Sequence, residues 1–158
     1  MKTTDLCDQF PDKVKVVVGL QFQHFGKCKS FYGAIETVKC FEDNSKVKST
    51  LETPGGGRVL VVDGGGSLRC ALLGDMLADL AVKNNWSGIV VFGLIRDSED
   101  INDINIGVMA LGTIPLKSNK RNEGQTGITV SFGGVTFTPG QFLYADADGI
   151  IVSETQIK

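Results

Sequence analysis

The chain has 158 residues, with 16 Lys and Arg against 18 Asp and Glu, a formal net charge of -2 and 42% hydrophobic residues. At roughly 100–200 residues per domain this is one domain, large enough to fold without metal or disulfide staples, and its apolar content excludes disorder. A sequence pI near 5.4 leaves no basic footprint for direct nucleic-acid binding. No apolar run approaches the roughly 18 residues that cross a membrane. Met1 to Asp5 contains no apolar signal segment, so a cytoplasmic protein is expected.

Taken in order, Thr3 or Thr4 caps a short helix through Leu6 to Phe10, ended by Pro11. Val14 to Leu20 is β-branched and predicts a short strand, and Phe31 to Phe41 predicts another. Glu42-Asp43-Asn44 turns the chain into a short polar helix, Ser45 to Glu52, capped by Asn44 or Ser45 and broken at Thr53-Pro54-Gly55. Arg58 to Asp63 is a continuous branched run and predicts a buried strand. Gly64 to Gly66 turn the chain, and Ser67 is placed to cap the next helical stretch. From Leu68 to Asn85, Leu72, Leu73, Met76, Leu77, Leu80 and Ala81 recur at helical spacing. Gly74 divides that stretch into two helices, with a fresh N-terminus at Asp75. Gly88 to Leu94 predicts a second buried strand, Ser98 to Ile104 a short acidic helix or turn, and Val108 to Leu111 a strand. Lys117 to Gly127 reads as a polar, mobile loop. Ile128–Phe132, Val135–Phe137, Gln141–Tyr144 and Ile150–Val152 read as an antiparallel meander. The order gives an α/β fold with one parallel unit at its centre.

Most candidate motifs read as structure. Asp63 to Arg69 imitates a dinucleotide-binding turn, but Arg69 stands where the third glycine belongs. Cys7, Cys28, Cys40 and Cys70 lack paired ligand spacing and are expected to be reduced. His24 is the only histidine, which excludes a His-rich zinc site, and it is expected at the surface or core edge. Asp146-Ala147-Asp148-Gly149 lacks the remaining ligands of a calcium loop and is expected to turn between strands.

Gly74-Asp75-Met76-Leu77 and Arg96-Asp97 hold more chemistry. A helix starting at Asp75 offers free N–H groups and partial positive charge to an anion. Arg96 adds a planar fork for a carboxylate. Asp75 and Asp97 bring the oxygen ligands that hard divalent cations prefer. One crevice could then hold a carboxylate beside an Mg²⁺-type ion. The competing reading is an Arg96–Asp75 salt bridge, or Asp75 as a helix cap.

FGKCKSFYG (Phe25–Gly33), VKCFEDN (Val38–Asn44), GRVLVVDGGG (Gly57–Gly66), GDMLA (Gly74–Ala78), GIVVFGLIRD (Gly88–Asp97), INIG (Ile104–Gly107), FGGV (Phe132–Val135) and LYADADGIIV (Leu143–Val152) run over nearly the whole chain. Together they resemble the RraA-like family, which includes regulators of ribonuclease activity A and class II 4-hydroxy-4-methyl-2-oxoglutarate aldolases. The resemblance implies a swivelling β/β/α-type single domain over 1–158, its central mixed sheet flanked by helices, assembled as a homotrimer or hexamer. It implies Asp97 as metal ligand, with Asp75 and Asp100 reaching the metal through water. It implies Arg96, Gly74 and the N–H groups of Met76 and Leu77 as the substrate-carboxylate site. The implied reaction is a metal-dependent 2-oxo-acid lyase of the aldolase or oxaloacetate decarboxylase type, in which Mg²⁺ or Mn²⁺ stabilises a pyruvate enolate. VKCFEDN and LYADADGII look closer to the regulator branch, and Gln141 stands where many members carry an acid. That branch implies protein binding to an RNase or RNA helicase, without catalysis.

Overall fold

The computed structural model describes residues 2–157. In chain order its elements are α1 (Thr3–Gln9), β1 (Val14–Val16), β2 (Gln23–Phe25), β3 (Phe31–Lys39), α2 (Ser45–Leu51), β4 (Val59–Asp63), β5 (Ala71–Leu73), α3 (Asp75–Lys83), β6 (Gly88–Ile95), α4 (Ser98–Asn102), β7 (Gly107–Thr113), β8 (Gln125–Thr126), β9 (Val130–Phe132), β10 (Val135–Phe137), β11 (Phe142–Asp146) and β12 (Gly149–Ser153). The main sheet runs β1-β12-β11-β3-β4-β6-β7-β2, with β5 also paired to β6 and β8 to β3. Its centre, β3-β4-β6-β7, is parallel. The flanking pairs are antiparallel.

The two branched runs become β4 and β6 because both of their faces are covered. Alternation along β4 sends Leu60 and Val62 into the core that holds Ala78 and Ala81 of α3 and Val47 and Leu51 of α2. Val59 and Val61 point the other way, into a core built with Phe132, Val135 and Phe137 of the β9–β10 hairpin. Helices thus cover one face of the parallel centre, and a hairpin covers the other. α1 packs Leu6 against Tyr144 and Ile151 at the far end of the sheet.

Several expected elements differ. Residues 68–73 are not a helix: Ala71–Leu73 form β5, beside Leu94 and Ile95 of β6. The new helix at Asp75 is present as α3. The first strand stops at Val16, and β2 arises where no strand was expected, paired to β7. The expected meander is two separate hairpins, because among the described residues β10 pairs only with β9 while β11 returns to β3. Neither Asn44 nor Ser45 caps α2 through its side chain; Asp43 Oδ1 accepts the Ser45 N–H at 2.9 Å. His24 lies half-buried on β2. Burial and then Lys29 push its imidazole below the usual value. Burial pushes the Cys40 thiol up to about 12, so it stays protonated. Among the described residues, no helix is long and apolar enough to cross a membrane.

The Asp146–Gly149 string does turn between β11 and β12. Asp146 also accepts the Thr3 N–H at 2.8 Å and the Thr3 hydroxyl at 2.7 Å, so it caps α1 from the far end of the chain. Burial opposes its charge, yet hydrogen bonds from Thr3, Asp148 and Gly149 prevail and hold its carboxyl below the usual range. Asp146→Ala is therefore expected to cost about 0.5–2 kcal/mol, the usual loss for a missing helix cap. Urea unfolding checks this; an unchanged midpoint would contradict it.

Candidate active site

The parallel strands end at different heights, and that difference makes a crevice. β4 pairs with β6 only as far as Asp63 opposite Phe92. β5 takes its place beside Leu94 and Ile95. The chain then passes from Leu73 through Gly74 into α3, while β6 ends at Ile95 and is followed by Arg96-Asp97. Binding sites of open α/β sheets lie beyond the carboxyl ends of such strands. Here the Arg96 N–H donates to the Leu73 carbonyl at 2.9 Å, which ties the two segments together.

Asp97 takes the left-handed conformation, φ 59° and ψ 39°. Aspartate tolerates this better than most residues, and such outliers cluster at functional sites. Its carboxylate meets the start of α3, where the Asp75 N–H donates to Asp97 Oδ2 at 3.1 Å. A methyl on Gly74, whose backbone is extended, would sit 2.8 Å from Asp97 Oδ2, so the carboxylate would have to shift to admit it. Burial, then the adjoining Asp97 carboxyl and the charge of Asp100, push the Asp75 carboxyl above its usual value. Asp100 itself lies on α4 and does not line the pocket.

The pocket measures about 170 Å³. Gly74, Asp75, Met76, Leu77, Arg96 and Asp97 line it, so the structure gathers the expected residues in one place. Lys48 of α2, Lys117 and Lys120 of the loop after β7, and Asn44 line it as well; the sequence pattern gave no sign that these four belong to the site. Among the described residues, Arg96, Lys48, Lys117 and Lys120 take part in no ion pair. The Arg96–Asp75 salt bridge is therefore not formed. The Met76 N–H is already engaged by Asp75 Oδ1 at 2.8 Å. The Leu77 N–H has no acceptor among the described residues and remains the open donor of this turn. The pocket is thus lined by four cations and two carboxylates.

A family model described as RraA-like, Aldolase/RraA, matches residues 3–152. The chain belongs to the RraA-like family. An Aromatoleum aromaticum relative named "Putative 4-hydroxy-4-methyl-2-oxoglutarate aldolase" is 56% identical over 156 residues, covering 99% of this RraA-like chain and 98% of its own. A Pseudomonas aeruginosa relative of the same name is 57% identical over 156 residues, covering 99% and 96%. The RNA-processing inhibitor RraA from Thermus thermophilis superimposes with a TM-score of 0.95 at 41% identity, over 100% of this chain and 95% of that one. A Geobacillus kaustophilus structure described as an S-adenosylmethionine: 2-dimethylmenaquinone methyltransferase gives 0.97 at 50% identity, over 99% and 97%. The fold is that of the family, a mixed α/β single domain.

Proposed function

We propose that this RraA-like chain is a divalent-metal-dependent lyase that cleaves dicarboxylic 2-oxo acids to pyruvate, as an aldolase or oxaloacetate decarboxylase. The observation that carries the reading is Arg96: a guanidinium lining the pocket without an ion pair, beside the adjoining carboxyls of Asp75 and Asp97. The aldolase name of the relatives supports it.

The residues suit a hard cation. Asp75 and Asp97 press two carboxyls together, and the resulting upward push on Asp75 is what a bound cation would relieve. Among the described residues, no three His, Cys, Asp or Glu side chains converge. That suits Mg²⁺ or Mn²⁺, which keep several water or substrate oxygens. Asp97 would hold the ion, with Asp75 and Asp100 reaching it through water. When bound, the ion supplies a Lewis acid for the keto oxygen. Arg96 takes the adjacent carboxylate through its fork, and the Leu77 N–H adds a third donor. Lys48, Lys117 and Lys120 take the distal carboxylate and fix which bond is presented for cleavage.

The test is pyruvate release from oxaloacetate, with and without Mg²⁺ or Mn²⁺. Turnover well above the rate with metal alone is expected; a rate equal to metal alone would contradict the reading. Gly74→Ala is expected to lower that turnover by about 10²-fold, because it displaces the Asp97 carboxylate by part of an ångström. Wild-type turnover in that variant would contradict the close approach.

The likeness to the Thermus inhibitor supports a second reading, binding to an RNase or RNA helicase without catalysis. Co-purification with such a protein, together with no turnover on oxaloacetate, would favour it. The trimeric or hexameric assembly belongs to the same proposal. Met76, 80% exposed, and Leu116, 60% exposed, supply apolar surface for a second copy. Sedimentation of a monomer would oppose it.

A further inference from the structure

Asp43 stands outside the pocket, yet everything bonded to it leads there. It is wholly buried, and its partners are Ser45, at the start of α2, and the loop that carries two of the pocket's lysines. Asp43 Oδ2 accepts the Arg121 N–H at 2.7 Å and the Glu123 N–H at 3.1 Å, and Oδ1 accepts the Ser45 N–H at 2.9 Å. The loop has further ties to the same turn. The Asn122 N–H donates to Ser45 Oγ at 3.2 Å. The buried Ser118 hydroxyl donates to Asn44 Oδ1 at 3.0 Å and accepts the Asn44 N–H at 3.1 Å. Lys117 is pinned at the other end, where the Leu116 carbonyl accepts the Ala71 N–H at 2.8 Å. The segment expected to be a mobile loop is thus bonded to the turn before α2 at almost every second residue.

The geometry points to Asp43 as a positioning residue for substrate: by holding loop 117–124 it presents Lys117 and Lys120 to the distal carboxylate of a dicarboxylic 2-oxo acid. This rests on the lyase reading for its substrate class. Lysine is a flexible point charge on a long stem, so its value as a specific anion site depends on where the backbone starts it. Without the buried acceptor, the Arg121 and Glu123 amides would turn to solvent and the two lysines would lose their fixed origin. The effect falls on the distal end alone. Arg96, Asp97 and the α3 amide are anchored by β5, β6 and one another and, among the described residues, make no direct hydrogen bond to this loop, which meets β5 at Ala71.

The experiment compares the full-length wild type with Asp43→Asn and with the milder Ser118→Ala. Three readouts are taken: hydrogen exchange at the Arg121 and Glu123 amides, steady-state kinetics on oxaloacetate with Mg²⁺, and Mg²⁺-dependent deuterium exchange at the methyl group of pyruvate, which has no distal carboxylate. In Asp43→Asn a single amide oxygen replaces two carboxylate oxygens that together serve three N–H groups, so the Arg121 and Glu123 amides lose protection while those of β4 and β6 keep it. KM for oxaloacetate rises about tenfold in Asp43→Asn and less in Ser118→Ala, the scale of losing one hydrogen bond to a charged group, with kcat nearly unchanged. Pyruvate exchange keeps its wild-type concentration dependence. Lost protection with unchanged KM, or equal losses on oxaloacetate and pyruvate, overturns the proposal and leaves Asp43 a purely structural group. If the wild type lacks turnover, the lyase reading fails, and calorimetric binding of 2-oxoglutarate decides the role of Asp43. About tenfold weaker binding in Asp43→Asn supports the proposal; equal affinity, or no binding by the wild type, overturns it.

Discussion

Asp97→Ala is expected to reduce metal-dependent pyruvate release by about 10³-fold or more, since a bound ion supplies several kcal/mol of charge stabilisation. The substitution removes two things at once. It takes away the carboxylate proposed to hold the cation, and the Oδ2 that receives the Asp75 N–H at the start of α3. Asp97→Asn separates them, because an amide oxygen still accepts that hydrogen bond but carries no charge. The melting temperature of Asp97→Asn is therefore expected near that of the wild type, with activity as low as in Asp97→Ala. Arg96→Ala is expected to lose about 10²–10³-fold, on the scale of one preorganised anion donor. Loss of activity in Asp97→Ala with full activity in Asp97→Asn would assign Asp97 to the backbone, and the metal proposal would fail.

Asp43→Ala is expected to destabilise the fold by about 1.5–3 kcal/mol, because the N–H groups of Ser45, Arg121 and Glu123 lose their charged acceptor together. The pH dependence identifies the cause. Burial alone would raise the Asp43 carboxyl, but the bonds from Ser45, Arg121 and Glu123 hold it well below the usual carboxylate range. A carboxyl lowered in the folded state contributes its full stabilisation above the unfolded value of about 3.9 and loses it as pH falls through the folded value. The gap between wild type and Asp43→Ala is therefore widest near neutrality and narrows in acid. Guanidinium unfolding at pH 7 and pH 3 measures it; an equal gap at both would mean that packing, and not the charge, is what Asp43 supplies.

The centre of the fold was legible because β4 and β6 are buried on both faces, and continuous branched runs have few other uses. β5 was not. Ala71-Leu72-Leu73 sits at helical spacing from Met76 and Leu77, and only pairing with Leu94 and Ile95, more than twenty residues on, makes it a strand. β2 is likewise created by its partner, Val108 to Ala110 of β7. In the site, Asp75, Arg96 and Asp97 could be read because a helix start and a strand end announce themselves locally. Lys117 and Lys120 could not, since a polar stretch that lines a pocket has the composition of one that faces water. A short acid-to-hydroxyl spacing, Asp43 to Ser45, was the one local signal of an ordered turn. The decisive partners of Asp43 are backbone amides, which no side-chain pattern encodes.

Calorimetric titration of Mg²⁺ or Mn²⁺ into the wild type and Asp97→Asn, each with pyruvate present, tests the central claim most directly. Saturable uptake by the wild type that needs both metal and pyruvate, and is lost in Asp97→Asn, is the predicted result. No uptake by the wild type, or equal uptake by both proteins, would contradict a cation and a keto acid held together at the start of α3.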